Sequence, residues 1–220
     1  MSNIIIQPPA VIISAPKKYD VILCDPPWMY TNFGSASATN HYSLMTQADL
    51  CALDVKSILK KKGMVLMWAT GPRLDYAIDA IRSWGLHYRG IGFIWVKTRQ
   101  DGAIINGQGV PPTFTKPTTE LVLVATTQKS GRPVPLVKSN TPQVVLAPRE
   151  GHSVKPEVVR DLIESTLGKN LDYLEMFARR QVVGWDTIGN ELTQEDIAVS
   201  IGKLNGTIPI PPPPPSPIIV

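Results

Sequence analysis

Cysteine is scarce: the 220-residue chain has two, Cys24 and Cys51, and no Cys-x-x-Cys pair. That excludes a disulfide framework and a cysteine-based zinc site. Its three histidines, His41, His87 and His152, are scattered without ligand spacing, so no metal is expected. No apolar run approaches the roughly 20 residues that a membrane-spanning helix needs. Residues 1–13 are apolar but lack a basic start and a small-residue cleavage site. They do not read as a secretory signal. A reduced, cytoplasmic setting is the expectation.

What is present is an ordinary globular balance, 43% hydrophobic and 18% charged residues, in a length that suits one domain. The formal net charge is +4. The excess is local. Between residues 97 and 149 stand Lys97, Arg99, Lys116, Lys129, Arg132, Lys138 and Arg149, against only Asp101 and Glu120. Elsewhere acids and bases nearly balance. Such a stretch suits a polyanionic partner or a solvated loop.

Two end segments fall outside the expected domain of residues 17–206. Residues 1–16 are apolar and broken by prolines, and residues 207–220 run into five consecutive prolines. The second reads as a disordered polyproline-type tail. Between them strand and helix patterns alternate. Residues 19–24 read as a buried strand. Thr46 caps a helix that runs to Gly63. Residues 64–69 form a strand and 72–84 a helix closed by Gly85. Strands follow at 88–96, 121–126 and 144–146. Pro156 opens a helix over 157–167 ended by Gly168. Strands at 171–177 and 182–185 complete the pattern. This order predicts an α/β fold, a mostly parallel sheet with helices on both faces and ligand sites at the carboxyl ends of its strands. Residues 98–119 lack periodicity and read as a long, functional loop.

The segment Asp25-Pro26-Pro27-Trp28 follows the first strand directly. Each proline pushes its predecessor toward extended backbone and contributes no N–H. The result is a stiff turn that presents one carboxylate and one carbonyl. An amine with two hydrogens needs two such acceptors. Adenine's exocyclic amine is a poor nucleophile because its lone pair is delocalised into the ring. Two acceptors on its hydrogens favour pyramidalisation and stabilise the charge that develops on methyl transfer. Trp28 then offers a ring face to a flipped-out base. The plainer alternative is a proline turn with a capping aspartate and a core tryptophan.

The motif resembles the signature of the MT-A adenine methyltransferases, named for the 70-kDa subunit of the messenger-RNA adenosine methyltransferase. The resemblance covers roughly residues 19–191. It includes His41-Tyr42-Ser43-Leu44-Met45, Leu66-Met67-Trp68-Ala69-Thr70, Ile94-Trp95-Val96-Lys97-Thr98 and the run from Lys116 to Glu120. It continues through His152, Lys155-Pro156-Glu157, Leu174-Glu175-Met176-Phe177-Ala178-Arg179, Gly184-Trp185 and Gly189-Asn190-Glu191. The resemblance implies a circularly permuted Rossmann-like class I methyltransferase that uses S-adenosylmethionine. Asp25, Pro26 and Pro27 then form the catalytic turn, with Asp25 also at the cofactor. Trp28 and Tyr42 line the base pocket. Lys155 meets the methionyl carboxylate, and Arg179, Asn190 and Glu191 lie around the cofactor's ribose and adenine. Lys97, Arg99, Lys116 and Glu120 face the substrate, with Glu120 either orienting Lys97 or forming an ordinary surface pair. The chain departs from other methyltransferases in having Phe177-Ala178-Arg179-Arg180 in place of a glycine-rich turn. Gln181 stands where eukaryotic members have histidine.

The leading expectation is a DNA N6-adenine methyltransferase of bacterial or phage type, since no zinc finger precedes the domain. An RNA adenosine methyltransferase is the alternative. A catalytically silent partner subunit ranks lower, because the acceptor motif is intact. The partners expected are nucleic acid and either a second copy or a partner subunit, with no membrane and no metal.

Overall fold

The computed structural model describes residues 15–28, 45–107, 114–151 and 154–210. Tyr42, His41 and His152 lie outside the described residues, as do most of the two end segments. Seven strands form one sheet: β1 (Tyr19–Cys24), β2 (Leu59–Ala69), β3 (His87–Thr98), β4 (Thr119–Thr126), β5 (Val144–Pro148), β6 (Tyr173–Met176) and β7 (Asp186–Ile188). Their order is β5-β3-β4-β2-β1-β6-β7. Only β4 runs against the rest.

The alternation of β1 assigns the two faces. Ile22 and Cys24 point into one core with Leu50, Ala77, Ile81, Ile197 and Ile201. These residues come from α1 (Gln47–Ala52), α2 (Leu74–Ser83) and α5 (Ile197–Asn205). Val21 and Leu23 point into the other, against Val159, Ile163 and Leu167 of α3 (Glu157–Leu167). Helices therefore cover both faces of a Rossmann-like sheet. Such apolar burial, at about 25 cal/mol per Å², is the main stabilising term. α1 follows β1 on one face, while α3 precedes β6 on the other. β1 therefore ends at a switch point, where the connections diverge and open a crevice.

Three local expectations are corrected. The helix from Thr46 does not reach Gly63. Thr46 Oγ1 accepts from the Asp49 N–H at 3.1 Å, but the helix stops at Ala52, and a 3-10 turn over Val55–Ile58 leads into β2. Gly63 lies inside that strand, next to an irregularity where Tyr19 pairs Leu59 and Val21 pairs Met64. An added Cβ there would stand 3.0 Å from Lys60 O. The last strand is Asp186–Ile188, not 182–185. Val182 and Trp185 bridge only each other, as a turn with Gly184 at φ 82°. A four-residue helix, α4 (Asn190–Thr193), and the longer α5 follow it. α5 ends near the expected boundary, yet Ile208 N still donates to Gly202 O at 2.9 Å.

The 98–119 loop begins as a tight hairpin. Arg99 N donates to Ala103 O at 2.8 Å and Ile105 N to Lys97 O at 3.0 Å. Asp101 accepts from the Ala103 N–H at 3.0 Å. Among the described residues no helix is long and apolar enough to cross a membrane.

Candidate active site

Asp25 follows β1 at the crevice, and α3 brings Lys155 to it from the step before its first turn. Lys155 Nζ stands 2.7 Å from Asp25 Oδ2 and 3.3 Å from Glu120 Oε2. Glu120 sits at the start of β4, opposite Trp95 of β3, and its other oxygen takes Lys97 Nζ at 2.6 Å. Lys97, Glu120, Lys155 and Asp25 thus form a chain of alternating charge across the carboxyl edge. Glu120 and Lys97 are 12% and 20% exposed, so theirs is no ordinary surface pair.

Aromatic rings floor this chain. Lys155 Nζ lies 5.6 Å from the Trp68 ring centre and Lys97 Nζ 5.1 Å from that of Trp95. The two indoles meet edge to face at 6.1 Å. Trp95 Nε1 donates to Ala147 O at 2.9 Å, which fixes its ring. Cations over ring faces gain from the ring quadrupole, and more so when desolvated.

The electrostatics follow from burial. Desolvation pushes the Asp25 carboxyl above the usual aspartate range, with Lys155 and Arg179 pulling it down and Glu120 adding to the rise. Burial works the same way on Glu120, but Lys155 and Lys97 outweigh it and hold that carboxyl low. Lys155 is disfavoured by burial, yet Asp25 and Glu120 keep its ammonium firmly charged. A raised carboxylate beside a retained cation is the kind of perturbation that marks a chemical site.

The turn Asp25-Pro26-Pro27-Trp28 separates two cavities. One is lined by Asp25, Trp68, Lys155, Pro156, Phe177 and Arg179, among others. The other, on the far side of the prolines, is lined by Pro26, Pro27, Trp28, Met45, Gln47 and Tyr76. Trp28 is buried and belongs mostly to the core on the α1 side, presenting only part of itself to that cavity. The Pro26 carbonyl already accepts the Trp28 N–H at 2.9 Å. One lone pair of that oxygen remains.

The remaining expected residues divide. Arg179 and Glu191 pair at 3.1 Å, and Asn190 is exposed at the start of α4. Arg99 is exposed and pairs with Asp101 at 2.7 Å. Lys116 is exposed, with its backbone against Gly107, where an added Cβ would come 2.6 Å from Lys116 O. Lys129 and Arg132, from the same basic stretch, lie at the opposite edge of the sheet, because β4 runs away from the site.

Sequence reasoning gave no role to a second polar group in the cleft wall. Arg160 donates to Glu175 Oε2 at 2.6 Å, pairs with Glu157, and lies 5.8 Å from the Trp185 ring centre. Glu157 also pairs with Arg180, so α3 is tied to the segment after β6. The signal was the spacing of Glu157 and Arg160, three apart at the start of α3 and so neighbours on its surface. Phe177, at φ 62°, takes a left-handed conformation unusual for a bulky residue, where β6 ends at the cleft.

Comparison with known proteins places the whole of this sheet and cleft within one family's matched region, residues 19–191. The chain is 33% identical over 202 residues to the type II methyltransferase M.MunI of Mycoplasma sp, which covers 83% of this chain and 82% of that protein. It is 29% identical over 177 residues to the N(6)-adenosine-methyltransferase MT-A70-like protein of Drosophila melanogaster. It is 24% identical over 196 residues to the human N(6)-adenine-specific methyltransferase METTL4. These matches cover 80% of this chain in each case, but only 27% of the fly protein and 38% of the human one. The MT-A70 family matches residues 19–191, and the chain belongs to it.

Proposed function

We propose that this enzyme transfers a methyl group from S-adenosylmethionine to the N6 amine of adenine in DNA. The observation that carries the reading is the placement of Asp25-Pro26-Pro27-Trp28 at the switch point, with the Asp25 carboxylate facing a cleft that also holds Lys155. DNA is favoured because the match to the type II methyltransferase runs over 82% of that relative's length. The adenosine-directed fly relative is matched over 27% of its own.

The cleft suits the cofactor chemically. It offers an ammonium beside the start of an eleven-residue helix for a carboxylate. Asp25 can take an ammonium group, and Glu191 and Asn190 stand near Arg179 for ribose hydroxyls. When bound, S-adenosylmethionine supplies an electrophilic methyl on a sulfonium. The chain's own groups do the rest. Asp25 accepts one hydrogen of the target amine and the free lone pair of the Pro26 carbonyl accepts the other. Together they orient the nitrogen lone pair and stabilise the charge that grows on it. Asp25 is then the nearest acceptor for the proton the nitrogen sheds. Pro27 and Trp28 wall the base pocket on the other side of the turn, with Met45 and Tyr76. The catalytic motif precedes β6, the strand we assign to the cofactor, as a permuted order requires.

Incubation with labelled S-adenosylmethionine and separate DNA and RNA pools, followed by nucleoside mass spectrometry, tests this. N6-methyldeoxyadenosine is the expected product. Label confined to RNA would overturn the choice of polymer, and no transfer to either would overturn the activity.

A further inference from the structure

A second basic surface lies at the amino edge of the sheet, opposite Asp25. Lys61 and Lys62 stand near the start of β2, and Lys129 and Arg132 stand on the turn after β4. All four are exposed. The antiparallel ladder brings them together. Thr127 N donates to Gly63 O at 3.1 Å, and Thr127 Oγ1 donates to Lys61 O at 2.9 Å. Arg89 of β3 clamps the turn, with Nη1 donating to Gln128 O at 3.2 Å and Nη2 to Gly131 O at 3.1 Å. Gly131, at φ 75°, allows the turn to close.

Charge balance sets this group apart. Among the described residues none of the four is in an ion pair, and Arg89 spends its guanidinium on carbonyls. Asp20, Asp172 and Asp186, on the β1–β6–β7 side of the same edge, are already taken by Lys60 and Lys17. Like charges on adjacent strands repel, and a polyanion laid across them would relieve that repulsion.

We propose that this edge is a second phosphodiester-binding surface, which holds nucleic acid flanking the target adenine. The inference rests on the function proposed above. From Ala69 beside the site to Lys61, β2 spans roughly 27 Å at about 3.4 Å per residue. A duplex covers that distance in about eight base pairs. Only a duplex extending farther than that from the adenine reaches both edges.

The test compares the wild type with a variant carrying Lys61→Gln, Lys62→Gln, Lys129→Gln and Arg132→Gln. Affinity is measured over a salt series on DNA duplexes of about 12 and about 40 base pairs, each with a central adenine target. For the long duplex the plot of log affinity against log salt should flatten by roughly three to four units of slope, at about 0.9 per lost contact. Binding and methylation of the short duplex should not change. A variant that exchanges lysine for arginine and arginine for lysine at the same positions should restore the slope, and matching thermal melts would show that the fold is kept. An unchanged long-duplex slope overturns the proposal, and so does an equal loss on both lengths, which would place these residues at the target. If the wild type methylates RNA and not DNA, the polymer reading fails by itself, and the same two lengths of RNA decide this surface.

Discussion

Lys155 Nζ stands 2.7 Å from Asp25 Oδ2, so the cation suited to the cofactor's carboxylate holds the carboxylate suited to the target amine. Binding at Lys155 therefore bears directly on the protonation and freedom of Asp25. Lys155→Met should weaken S-adenosylmethionine binding by on the order of 10- to 100-fold, the range for a hydrogen bond to a charged group. It also removes the counter-ion shared by Asp25 and Glu120. The Asp25 carboxyl, already raised by burial, then rises further. In the proposed mechanism the carboxylate is the working form, so activity should be lost as pH falls through this pKa. The acid limb of kcat/KM should thus move to higher pH in the variant. Calorimetry and a pH–rate profile check both parts, and a limb that stays in place would separate Lys155 from Asp25.

Asp25→Ala should lower the rate of transfer by on the order of a hundredfold or more, the usual loss when a group acting on developing charge is removed. Cofactor binding should largely persist. Asp25→Asn keeps an acceptor oxygen and should retain more activity than alanine. Single-turnover kinetics distinguish the two, and full activity in the alanine variant would remove Asp25 from the chemistry.

Much of this site was legible because its chemistry is concentrated in contiguous runs. Asp25-Pro26-Pro27-Trp28 after an apolar strand located the turn, the Pro156 break located the start of α3, and Lys155 came from the family resemblance alone. The pairing of Lys97 with Glu120 was open in the sequence and is settled by the register of β3 on β4. What failed was local competition. Leu50, Leu53, Ile58 and Leu59 sit at broadly helical spacing, but Leu59 is recruited to pair with Tyr19, and that pairing overrides the helix. The end at which each basic residue emerges was not legible either. It depends on β4 running antiparallel, which no single segment encodes.

Gly189 is required for space, not for backbone freedom, since its φ of 172° is ordinary extended backbone. A Cβ there would lie 2.6 Å from Ala178 N, which is held by its own hydrogen bond to Ile188 O at 3.0 Å. Gly189→Ala should destabilise the fold by about 1–3 kcal/mol, the usual cost of overpacking. It should also displace Asn190 and Glu191 and weaken cofactor binding. Chemical denaturation and calorimetry on the same sample test the two effects. Unchanged stability would mean that the loop after β6 yields easily.

The bases near the site should divide by their partners when each is changed singly. Lys97 is mostly buried and bound to Glu120 at 2.6 Å, so its charge is already matched within the protein. Arg99 is exposed but shares its charge with Asp101. Lys116 is exposed, and among the described residues it enters no ion pair. Counterion release on binding counts phosphates neutralised by cations the protein can offer. Lys116→Gln should therefore flatten the salt dependence of polynucleotide binding by roughly one unit, and Arg99→Gln by a fraction of that. Lys97→Gln should leave the slope alone. It strips Glu120 of one partner instead, so the carboxyl held low by Lys155 and Lys97 rises toward its ordinary value. A folded-state pKa held below the unfolded one gives stability above the unfolded value that is lost as pH falls. The Lys97 variant should lose part of that contribution at neutral pH and depend less on pH in the acid range. Salt series for the three variants, with melting followed from neutral to acid pH for the third, provide the check. A slope that falls in Lys97→Gln and not in Lys116→Gln would mean that nucleic acid enters the edge on the β3 side and takes Lys97 away from Glu120.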